Sequence, residues 1–543
     1  MINSDKQPKT SCENTTLKKT LYNKHPIYVN LLPPCNNACP AGENIQEWLS
    51  LVQANKLQEA WEVIVRDNPM PAIHGRVCYH PCESNCNRRQ LDATINIHAI
   101  ERYLGDAAIE EGWTVPVKAK SSNKKVLIVG AGPAGLSAAH HLKLLGHDVT
   151  IYEALPKAGG MMYVGIPSFR LPQNILNDEI KRILSMGINI EFNHRVEDLI
   201  TEKETGKFDA VFLAVGAHRG KIVDVSVNDP CPIWDAVKFL RSVKMNTLPK
   251  IGDDIVIFGG SNTAMDVART AVRLGIKNVT VAYHRSRERM AAFDFEIEEA
   301  LEEGVKLAVL RSLNKVDGNK ILLNVVTLDA KGNPEPTGEV EELPANMLVF
   351  ALGQNPETDF LKNIFGIELK NNGSVLVDEQ MMTGAQGIFA GGDMLPYDQS
   401  VTFAVGHGKK AARCIDAYLN GTAYVKPEKH NIIDYDNMDL WFDDPVFKTT
   451  QTLLDAKTRI QSFDEVVSGL TKNEVLHEAK RCLSCGNCFE CDGCYGVCPE
   501  GAIEKLGPGK RYCFDRNLCT GCAACYHECP CSAIDMVEDA NND

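Results

Sequence analysis

Two cysteine runs late in the sequence have the spacing of iron–sulfur ligands. The pattern CxxCxxCxxxCP occurs in RCLSCGNCFECDGCYGVCPEG, residues 481–501, and again in CTGCAACYHECP, residues 519–530. In this pattern three cysteines bind one [4Fe–4S] cluster and the fourth binds its neighbour, a chemistry that moves single electrons. Cys482 and Cys485 precede the first run and are left over. The predicted ligands are Cys488, Cys491, Cys494, Cys498, Cys519, Cys522, Cys525 and Cys529.

A second group of cysteines lies early in the sequence, in PPCNNACP and GRVCYHPCESNC. The segment between these motifs has apolar residues at three-to-four spacing, which predicts helices covering a metal site. Five cysteines are one too many for one cluster and too few for two, and adding Cys482 and Cys485 still leaves one ligand missing. A separate zinc site at Cys482 and Cys485 stays open as an alternative. The early cysteines are Cys35, Cys39, Cys78, Cys82 and Cys86.

The middle of the chain contains a dinucleotide-binding pattern. KKVLIVGAGPAGLSAAHHL predicts a strand, a glycine-rich turn and a helix that begins at once. Such a turn lets a pyrophosphate approach the helix N-terminus, where unpaired N–H groups favour an anion. A second strand ends at Glu153, in position to accept a hydrogen bond from a ribose hydroxyl. The predicted contacts are Gly130, Gly132, Pro133, Ala134, Gly135 and Glu153.

A second such unit begins at DDIVIFGGSNTAMDVARTAV, where a serine replaces the middle glycine of the turn. Its second strand is followed by Arg285 and Arg287. Because a guanidinium fork suits a phosphate, these arginines predict NADPH rather than NADH. The alternative is that these two arginines are simply basic, solvent-exposed residues at the start of a helix. The turn contacts predicted here are Gly260, Ser261, Asn262, Thr263 and Ala264.

Composition excludes several classes of protein. The net charge of −14 argues against a general nucleic-acid binder. We find no apolar leader and no run of eighteen apolar residues, so neither export nor a membrane span is predicted. Twenty cysteines without an export signal indicate metal or redox chemistry in the reducing cytoplasm rather than a disulfide framework.

GIFAGGDMLPYDQSVTFAVGHGKKAARCI, with FDAVFLAVGA and MLVFALGQ, resembles the FAD-binding parts of glutathione-reductase-like flavoproteins. The resemblance implies an FAD unit interrupted by an NADPH unit, with hydride transfer from nicotinamide to flavin. No cysteine lies between Pro232 and Arg413, so the electrons would leave by a route other than a cysteine pair. The resemblance implies cofactor contacts at Gly160, Met161, Arg170, Gly353, Gly392, Asp393, Val401 and Thr402.

Residues 31–425 resemble the small subunit of NADPH-dependent glutamate synthase and the N-terminal part of dihydropyrimidine dehydrogenase, through GRVC, INIHAIERY, GAGPAG, GGMMYVGIPSFRLP, NTAMD and AGGD. In that family RCLxCG opens the early cysteine run, whereas here RCLSCG stands at residues 481–486. The resemblance implies one [4Fe–4S] cluster on Cys35, Cys86, Cys482 and Cys485. It implies another on Cys39, Cys78, Cys82 and Glu101, for which a surface carboxylate is the plain alternative.

The predicted fold class is α/β. A polar arm (1–30) and a helical iron–sulfur domain (31–118) precede an FAD domain (119–250 and 377–425) that an NADPH domain (251–376) interrupts. A connector (426–480) leads to an α+β two-cluster ferredoxin domain (481–543). The connector is expected to run back along the body, since the shared cluster requires it.

The predicted function is electron transfer between NADP(H), FAD and four [4Fe–4S] clusters, with no acid–base residue named as catalytic. We expect a ferredoxin-type acceptor or a partner enzyme such as a 2-oxoacid:ferredoxin oxidoreductase, within a hetero-oligomer. One alternative is a small subunit that feeds a glutamate synthase large subunit, although such subunits lack the ferredoxin tail. Another is a non-catalytic iron–sulfur redox sensor.

Overall fold

The computed structural model describes residues 21–229, 231–440 and 443–539. Residues 1–20, most of the predicted polar arm, lie outside the described part. Residues 24–28 of that arm form a strand, Lys24–Tyr28, which pairs antiparallel with Ile534–Glu538 of the predicted ferredoxin domain. Within the described residues, no helix is both long and apolar enough to cross a bilayer.

Short helices build the early cysteine-bearing domain. Their apolar faces converge, with Ile45, Trp48, Ala60 and Trp61 fully or almost fully buried, as the three-to-four spacing predicts. Prolines begin several of them, at the position where a missing N–H costs least. The helices are Pro34–Ala38, Ile45–Gln53, Leu57–Val65, Pro71–Val77, Pro81–Ser84 and Ile97–Glu110, with a 3₁₀ turn at Asn87–Gln90.

A parallel sheet of five strands forms the first nucleotide-binding unit. Its strands other than the edge strand Asn189–Phe192 are largely buried, as expected for a parallel sheet covered on both faces. In spatial order they are Ile388–Ala390, Ala210–Leu213, Lys125–Val129, Asp148–Glu153 and Asn189–Phe192. The helices of this unit are Pro133–Leu144, Met161–Val164, Gln173–Leu184, Leu199–Gly206 and Val401–Leu419.

The second nucleotide-binding unit repeats this architecture. Because the strand Ile233–Asp235 pairs with Met347–Phe350, this unit begins before residue 251, the boundary that the sequence predicts. In spatial order the strands are Lys306–Val309, Asn278–Tyr283, Asp254–Phe258, Met347–Phe350 and Ile233–Asp235. The helices are Ala236–Lys244, Asn262–Arg273 and Asp294–Glu302.

Two small sheets flank the second unit. One has the order Pro334–Pro344, Lys320–Leu328, Arg311–Asp317 and Ser226–Val227, and its two hairpin pairings are antiparallel. The other pairs Arg219–Gly220 with Gln354–Asn355, at the two crossings between the nucleotide-binding units. These sheets place the two crossing segments side by side.

The connector runs back over the early helical domain, as expected from the sequence. Its helix Lys472–Lys480 buries Val475 and Ala479 in the same core as Trp48 and Trp61. A shorter helix, Ala456–Arg459, precedes it. The tail that follows contains helices Gly493–Val497 and Ala524–His527, and a hairpin of Ile503–Lys505 with Tyr512–Phe514.

Candidate functional site

A cavity of about 440 Å³ lies between the two nucleotide-binding units. It lies at the carboxyl ends of parallel strands from both sheets, where open α/β sheets bind ligands. Most of the predicted cofactor contacts line it. They are Gly130, Gly132, Pro133, Ala134, Glu153, Gly160, Met161, Arg170, Ser261, Asn262, Thr263, Gly353, Gly392, Asp393 and Val401.

Three predicted contacts pack beneath the turns instead of lining the cavity. A Cβ on Gly135 would lie 2.0 Å from the Gly130 carbonyl oxygen, so this glycine lets helix and strand approach. A Cβ on Gly260 would meet the Tyr283 ring at 2.8 Å. Ala264 is fully buried in the core of the second unit. Thr402, Arg285 and Arg287 also lie outside the cavity wall and are described below.

The first glycine-rich turn forms an anion cradle. Gly130 has φ +104°, and a Cβ there would lie 2.5 Å from the Ala214 carbonyl oxygen. Gly132 is the N-cap residue of helix Pro133–Leu144, and no side chain caps this helix. Its first N–H groups therefore face the cavity and can bind a phosphate. A Cβ on Gly160 would lie 2.8 Å from Gly132 Cα, so the second loop closes against this turn.

Two buried carboxylates face the same cavity. Glu153 accepts hydrogen bonds from the backbone N–H groups of Ala131, at 2.7 Å, and Leu155, at 2.8 Å, which fix its orientation. Burial raises the pKa of Glu153. Asp393 Oδ1 is buried with no hydrogen-bond partner among the described residues, and burial raises the pKa of this carboxyl to about 6. An acceptor left unpaired beside a phosphate cradle fits a ligand rich in hydroxyl groups, as the ribityl diphosphate of FAD is.

The second turn has the same design with a serine in the middle. A Cβ on Gly259 would lie 2.4 Å from the Ala351 carbonyl oxygen, and Ser261 Oγ lies 3.5 Å from that same oxygen. The helix Asn262–Arg273 starts there without a side-chain cap. Serine is therefore tolerated at the middle position because its hydroxyl can turn back toward the strand.

The two arginines that predict NADPH follow the strand Asn278–Tyr283. Arg287 is paired with Glu298 at the surface. Arg285 Nε is buried and has no hydrogen-bond partner among the described residues. A buried unpaired donor fits a phosphate that would bind there.

Arg170 joins the two nucleotide-binding units. Its guanidinium lies 2.9 Å from Asp266 and 2.8 Å from Glu296, and these charges hold its pKa well above the ordinary value despite burial. Asp266 also lines the cavity. The sequence analysis missed both acidic partners, although Asp266 is the last residue of its NTAMD motif.

The first early cysteine set lies directly beside the cavity. Val77 and Tyr79, on either side of Cys78, line the cavity wall, and Cys78 itself hydrogen-bonds with Thr402. Burial raises the pKa of the Cys78 thiol to about 12, with Glu101 adding to the effect. Such buried thiols are poor anions unless a metal takes the proton's place. The other three members of this set lie near Cys78. Cys78 interacts electrostatically with Cys39, Cys82 and Glu101.

Glu101 is held by a buried amide. Asn68 Nδ2 donates to Glu101 Oε1 at 2.7 Å and to Glu43 Oε1 at 3.0 Å. Glu43, His74 and Glu101 have ligand atoms within 4.8 Å of one another. Glu101 is therefore not the surface carboxylate of the plain alternative. The sequence analysis did not predict Glu43 as a second carboxylate beside this set.

The second early set combines cysteines far apart in sequence. Cys35, Cys86, Cys482 and Cys485 line one small cavity. Burial raises the pKa of Cys35, and the charges of the other three thiols raise it further. Arg481 fixes the later pair, donating to the Ala93 carbonyl at 2.6 Å and lying 2.9 Å from Asp92. Because all four thiols share one pocket, Cys482 and Cys485 do not form a separate site, and four thiolates are the ligand set of a [4Fe–4S] cluster.

The tail cysteines form two further sets, with the fourth member exchanged between runs. Burial raises the pKa of the Cys494 thiol, and the neighbouring thiols of Cys488, Cys491 and Cys529 raise it further. Cys525 is affected in the same way by Cys519, Cys498 and Cys522. This is the exchange that the CxxCxxCxxxCP pattern predicts. Cys531, which the sequence analysis did not place, has its Sγ 3.9 Å from Cys529 Sγ.

The fold and site define a pyridine-nucleotide oxidoreductase with iron–sulfur centres. Residues 124–408 match the family model of pyridine nucleotide-disulphide oxidoreductases, and residues 30–113 match that of dihydropyrimidine dehydrogenase domain II, 4Fe-4S cluster. The chain belongs to the glutamate synthase small-subunit-like family of iron–sulfur flavoproteins, as the sequence predicts. It is an NADPH-dependent oxidoreductase that uses FAD and [4Fe–4S] clusters. The predicted fold class is also confirmed.

Several proteins of known name are similar in sequence over most of the chain. The NADPH-Fe(3+) oxidoreductase subunit beta of Geobacter sulfurreducens is 33% identical over 514 residues, covering 85% of this chain and 76% of the relative. The NADP(+)-dependent formate dehydrogenase subunit beta of Moorella thermoacetica is 33% identical, covering 83% and 70%. The glutamate synthase [NADPH] small chain of Azospirillum brasilense is 30% identical, covering 72% and 87%.

Proposed function

We propose that this chain carries electrons between NADP(H) and a ferredoxin-type acceptor or partner enzyme, through FAD and four [4Fe–4S] clusters. The observation that carries the proposal is the meeting of Cys35 and Cys86 with Cys482 and Cys485. In this proposal the set would link the cysteines beside the cavity to those of the tail. When bound, FAD exchanges a hydride with nicotinamide and single electrons with clusters.

The proposed ligand sets lie in series along the protein. Cys78 lies next to residues of the cavity wall, Cys35 lies in the first turn of helix Pro34–Ala38, and Cys39 is the C-cap residue of that helix. Cys485 and Cys488 are separated by two residues. Helices Gly493–Val497 and Ala524–His527 each carry or adjoin ligands of both tail sets. These short links support a path for electrons from cavity to tail.

The residues of the cavity would position the reactants and exclude water. The two capless helix starts would bind the two pyrophosphates, and Glu153 and Asp393 would accept hydrogen bonds from hydroxyl groups. Arg170, through Asp266 and Glu296, would fix the two units relative to each other. Hydride transfer depends on how the two cofactors are positioned and does not require a proton donor or acceptor from the protein. We therefore propose no catalytic acid or base.

Anaerobic mixing with NADPH tests the proposal. We expect rapid loss of flavin absorbance, followed by reduction of an added two-cluster ferredoxin, and about sixteen iron and sixteen sulfide per chain. Cys522→Ser, at an exposed ligand of the last set, should leave flavin reduction intact and slow ferredoxin reduction. A flavin that does not react with NADPH would instead favour the redox sensor. About eight iron with bound zinc would contradict four clusters.

A second candidate is the small subunit of a glutamate synthase-like complex, which the Azospirillum brasilense relative favours. Relatives named as beta subunits and small chains also support assembly with a partner. Reduction of a purified glutamate synthase large subunit at the rate of ferredoxin reduction would favour this candidate. The Cys522→Ser variant separates the two, since only the first function passes electrons through the tail.

A further inference from the structure

A second cavity, of about 670 Å³, lies at the junction of the two nucleotide-binding units and the connector. Its wall comes from the loop after Met161–Val164, from helix Ala236–Lys244, from the later half of helix Asn262–Arg273 and from Phe463. None of the predicted cofactor contacts lines it, among the residues that the structure describes. It shares Gly165, Ile166 and Leu240 with the cofactor cavity.

Two lysines lie beside the Tyr163 ring in this cavity. The Nζ atoms of Lys157 and Lys244 each lie 5.6 Å from the ring centroid. Lys244 Nζ also donates to Ser168 Oγ at 3.1 Å. Neither lysine forms an ion pair with a carboxylate in the described part of the chain. Burial lowers the pKa of Lys244, and the charge of Lys157 lowers it further, so an anion bound near both ammonium groups would relieve this repulsion.

A buried hydroxyl without a partner lines the same cavity. Thr270 is 1% exposed, and its Oγ1 finds no hydrogen-bond partner among the described residues. A threonine inside a helix usually donates back to its own helix or to a neighbour. A buried polar group that is left unpaired costs free energy, which a bound acceptor would recover.

Apolar side chains make up much of the remaining wall, beside the polar Gln173 and Asn246. Val243, Leu248, Leu274 and Phe463 contribute to it, together with Ile166. Small-molecule sites commonly combine such walls with a few polar groups that fix orientation. The occupant that fits has an anionic head near the lysines and an apolar body against these side chains.

We propose that this cavity binds an organic anion, a carboxylate or phosphate carried on an apolar or aromatic body. Lys157, Lys244 and Thr270 would bind the head group. Because Gly165 and Ile166 face both cavities, binding should also perturb the flavin absorbance spectrum of the holoenzyme. This inference is independent of which acceptor takes the electrons.

The test is calorimetric titration of the holoenzyme with 2-naphthoate and with 2-naphthyl phosphate, with neutral 2-naphthalenemethanol as the uncharged probe. We expect one-site binding of at least one anion and much weaker binding of the alcohol. The anion that binds more tightly identifies the head group as carboxylate or phosphate. Lys244→Met should weaken anion binding about tenfold or more, because a hydrogen bond to a charged group is lost.

Controls keep the outcome specific. Lys244→Arg should retain affinity within a few-fold, and Lys250→Met, at an exposed lysine of the same unit, should leave it unchanged. Thr270→Val, a nearly isosteric change, should weaken binding several-fold and provides a second variant if Lys244→Met fails to fold. The proposal is overturned if neither anion binds, if the alcohol binds equally well, if the Lys244 and Thr270 variants bind normally, or if saturating NADP⁺ displaces the probe.

Discussion

Arg285 and Arg287 have different surroundings although they are separated by one residue. Arg287 already has an acidic partner in Glu298, whereas the Nε of Arg285 is buried without a partner among the described residues. A donor in that position gains most from a ligand that supplies an acceptor. Arg285 is therefore expected to contribute more to the choice of NADPH.

We expect Arg285→Ala to raise KM for NADPH about 10- to 100-fold and KM for NADH by less than about twofold, because one charged hydrogen bond contributes about 1.5–3 kcal/mol. Arg287→Ala should have a smaller effect, since Glu298 competes for its guanidinium. Steady-state kinetics with both nucleotides measures this. Lys277→Ala, at an exposed lysine paired with Asp253, is the control. Equal increases for both nucleotides would disprove the assignment.

Glu101 provides the second prediction at this scale. Glu101→Ala should lose the cluster beside the cavity, lowering iron from about sixteen to about twelve per chain, whereas Glu101→Gln should keep it, as an amide oxygen can replace the carboxylate. Iron analysis and paramagnetic spectra of the reduced protein distinguish these outcomes. Glu110→Ala, exposed on the same helix, is the control. Full iron content in Glu101→Ala would point to Glu43 as the ligand.

Asp393 predicts a pH-dependent stability of the protein without FAD. Its pKa is about 6, above the ordinary value, so the folded state takes up a proton as the pH falls through 6. The ionised Asp393 carboxylate therefore lowers the free energy of unfolding by its full amount above pH 6, and this effect is absent below about pH 4, where the carboxyl is protonated in both the folded and the unfolded state. Asp393→Asn should therefore stabilise the flavin-free protein by roughly 2–3 kcal/mol at pH 7.5 and not at pH 4. Urea unfolding at the two pH values measures it, and an equal effect at both would contradict this account.

At the scale of elements, helix Lys472–Lys480 attaches the tail to the early domain. Thr471 and Glu474 form a capping box that starts it, and Val475 and Ala479 bury its apolar face. Arg481 then lies 2.5 Å from Glu478 and 2.9 Å from Asp92, with 2% of its surface exposed. The helix therefore delivers Cys482 and Cys485 to a fixed place.

Arg481→Met should detach this element, because it leaves the fully buried Glu478 without a counter-charge, whereas Asp92 keeps its ion pair with Arg88. The expected loss is about 3–5 kcal/mol of stability, with loss of the cluster on Cys35, Cys86, Cys482 and Cys485. Denaturant unfolding and iron content measure the two effects. Lys480→Met, at the exposed neighbour, should change neither. Retention of all clusters in Arg481→Met would show that the helix alone positions the cysteines.

On the scale of the whole molecule, early and late segments are interlocked twice. The strand Lys24–Tyr28 pairs with Ile534–Glu538, and Cys35 and Cys86 meet Cys482 and Cys485. The nucleotide-binding units lie between these segments in sequence but not in space. The tail is therefore a part of the body rather than a tethered domain.

Truncation after Lys480 tests this interlocking. We expect the truncated protein to keep FAD and the cluster beside the cavity, with about four iron atoms left per chain. Flavin reduction by NADPH should persist, while ferredoxin reduction should be lost. A control that ends after Asp539 should retain every cluster. Survival of both early-domain clusters in the truncated protein would refute the shared ligand set.

The sequence by itself determined the chemistry, because cluster ligands and phosphate turns are local patterns. CxxCxxCxxxCP and the glycine-rich turns fix ligand spacing and backbone conformation over a dozen residues, so they could be recognised without a structure. Resemblance to a family supplied the pairing of Cys35 with Cys482, which spacing alone left open. Only the tertiary structure revealed Glu43 beside Glu101, the bridge from Arg170 to Asp266 and Glu296, the strand Lys24–Tyr28 and the lysine-lined cavity. These contacts join residues far apart in sequence, and their burial and charge depend on how the chain packs.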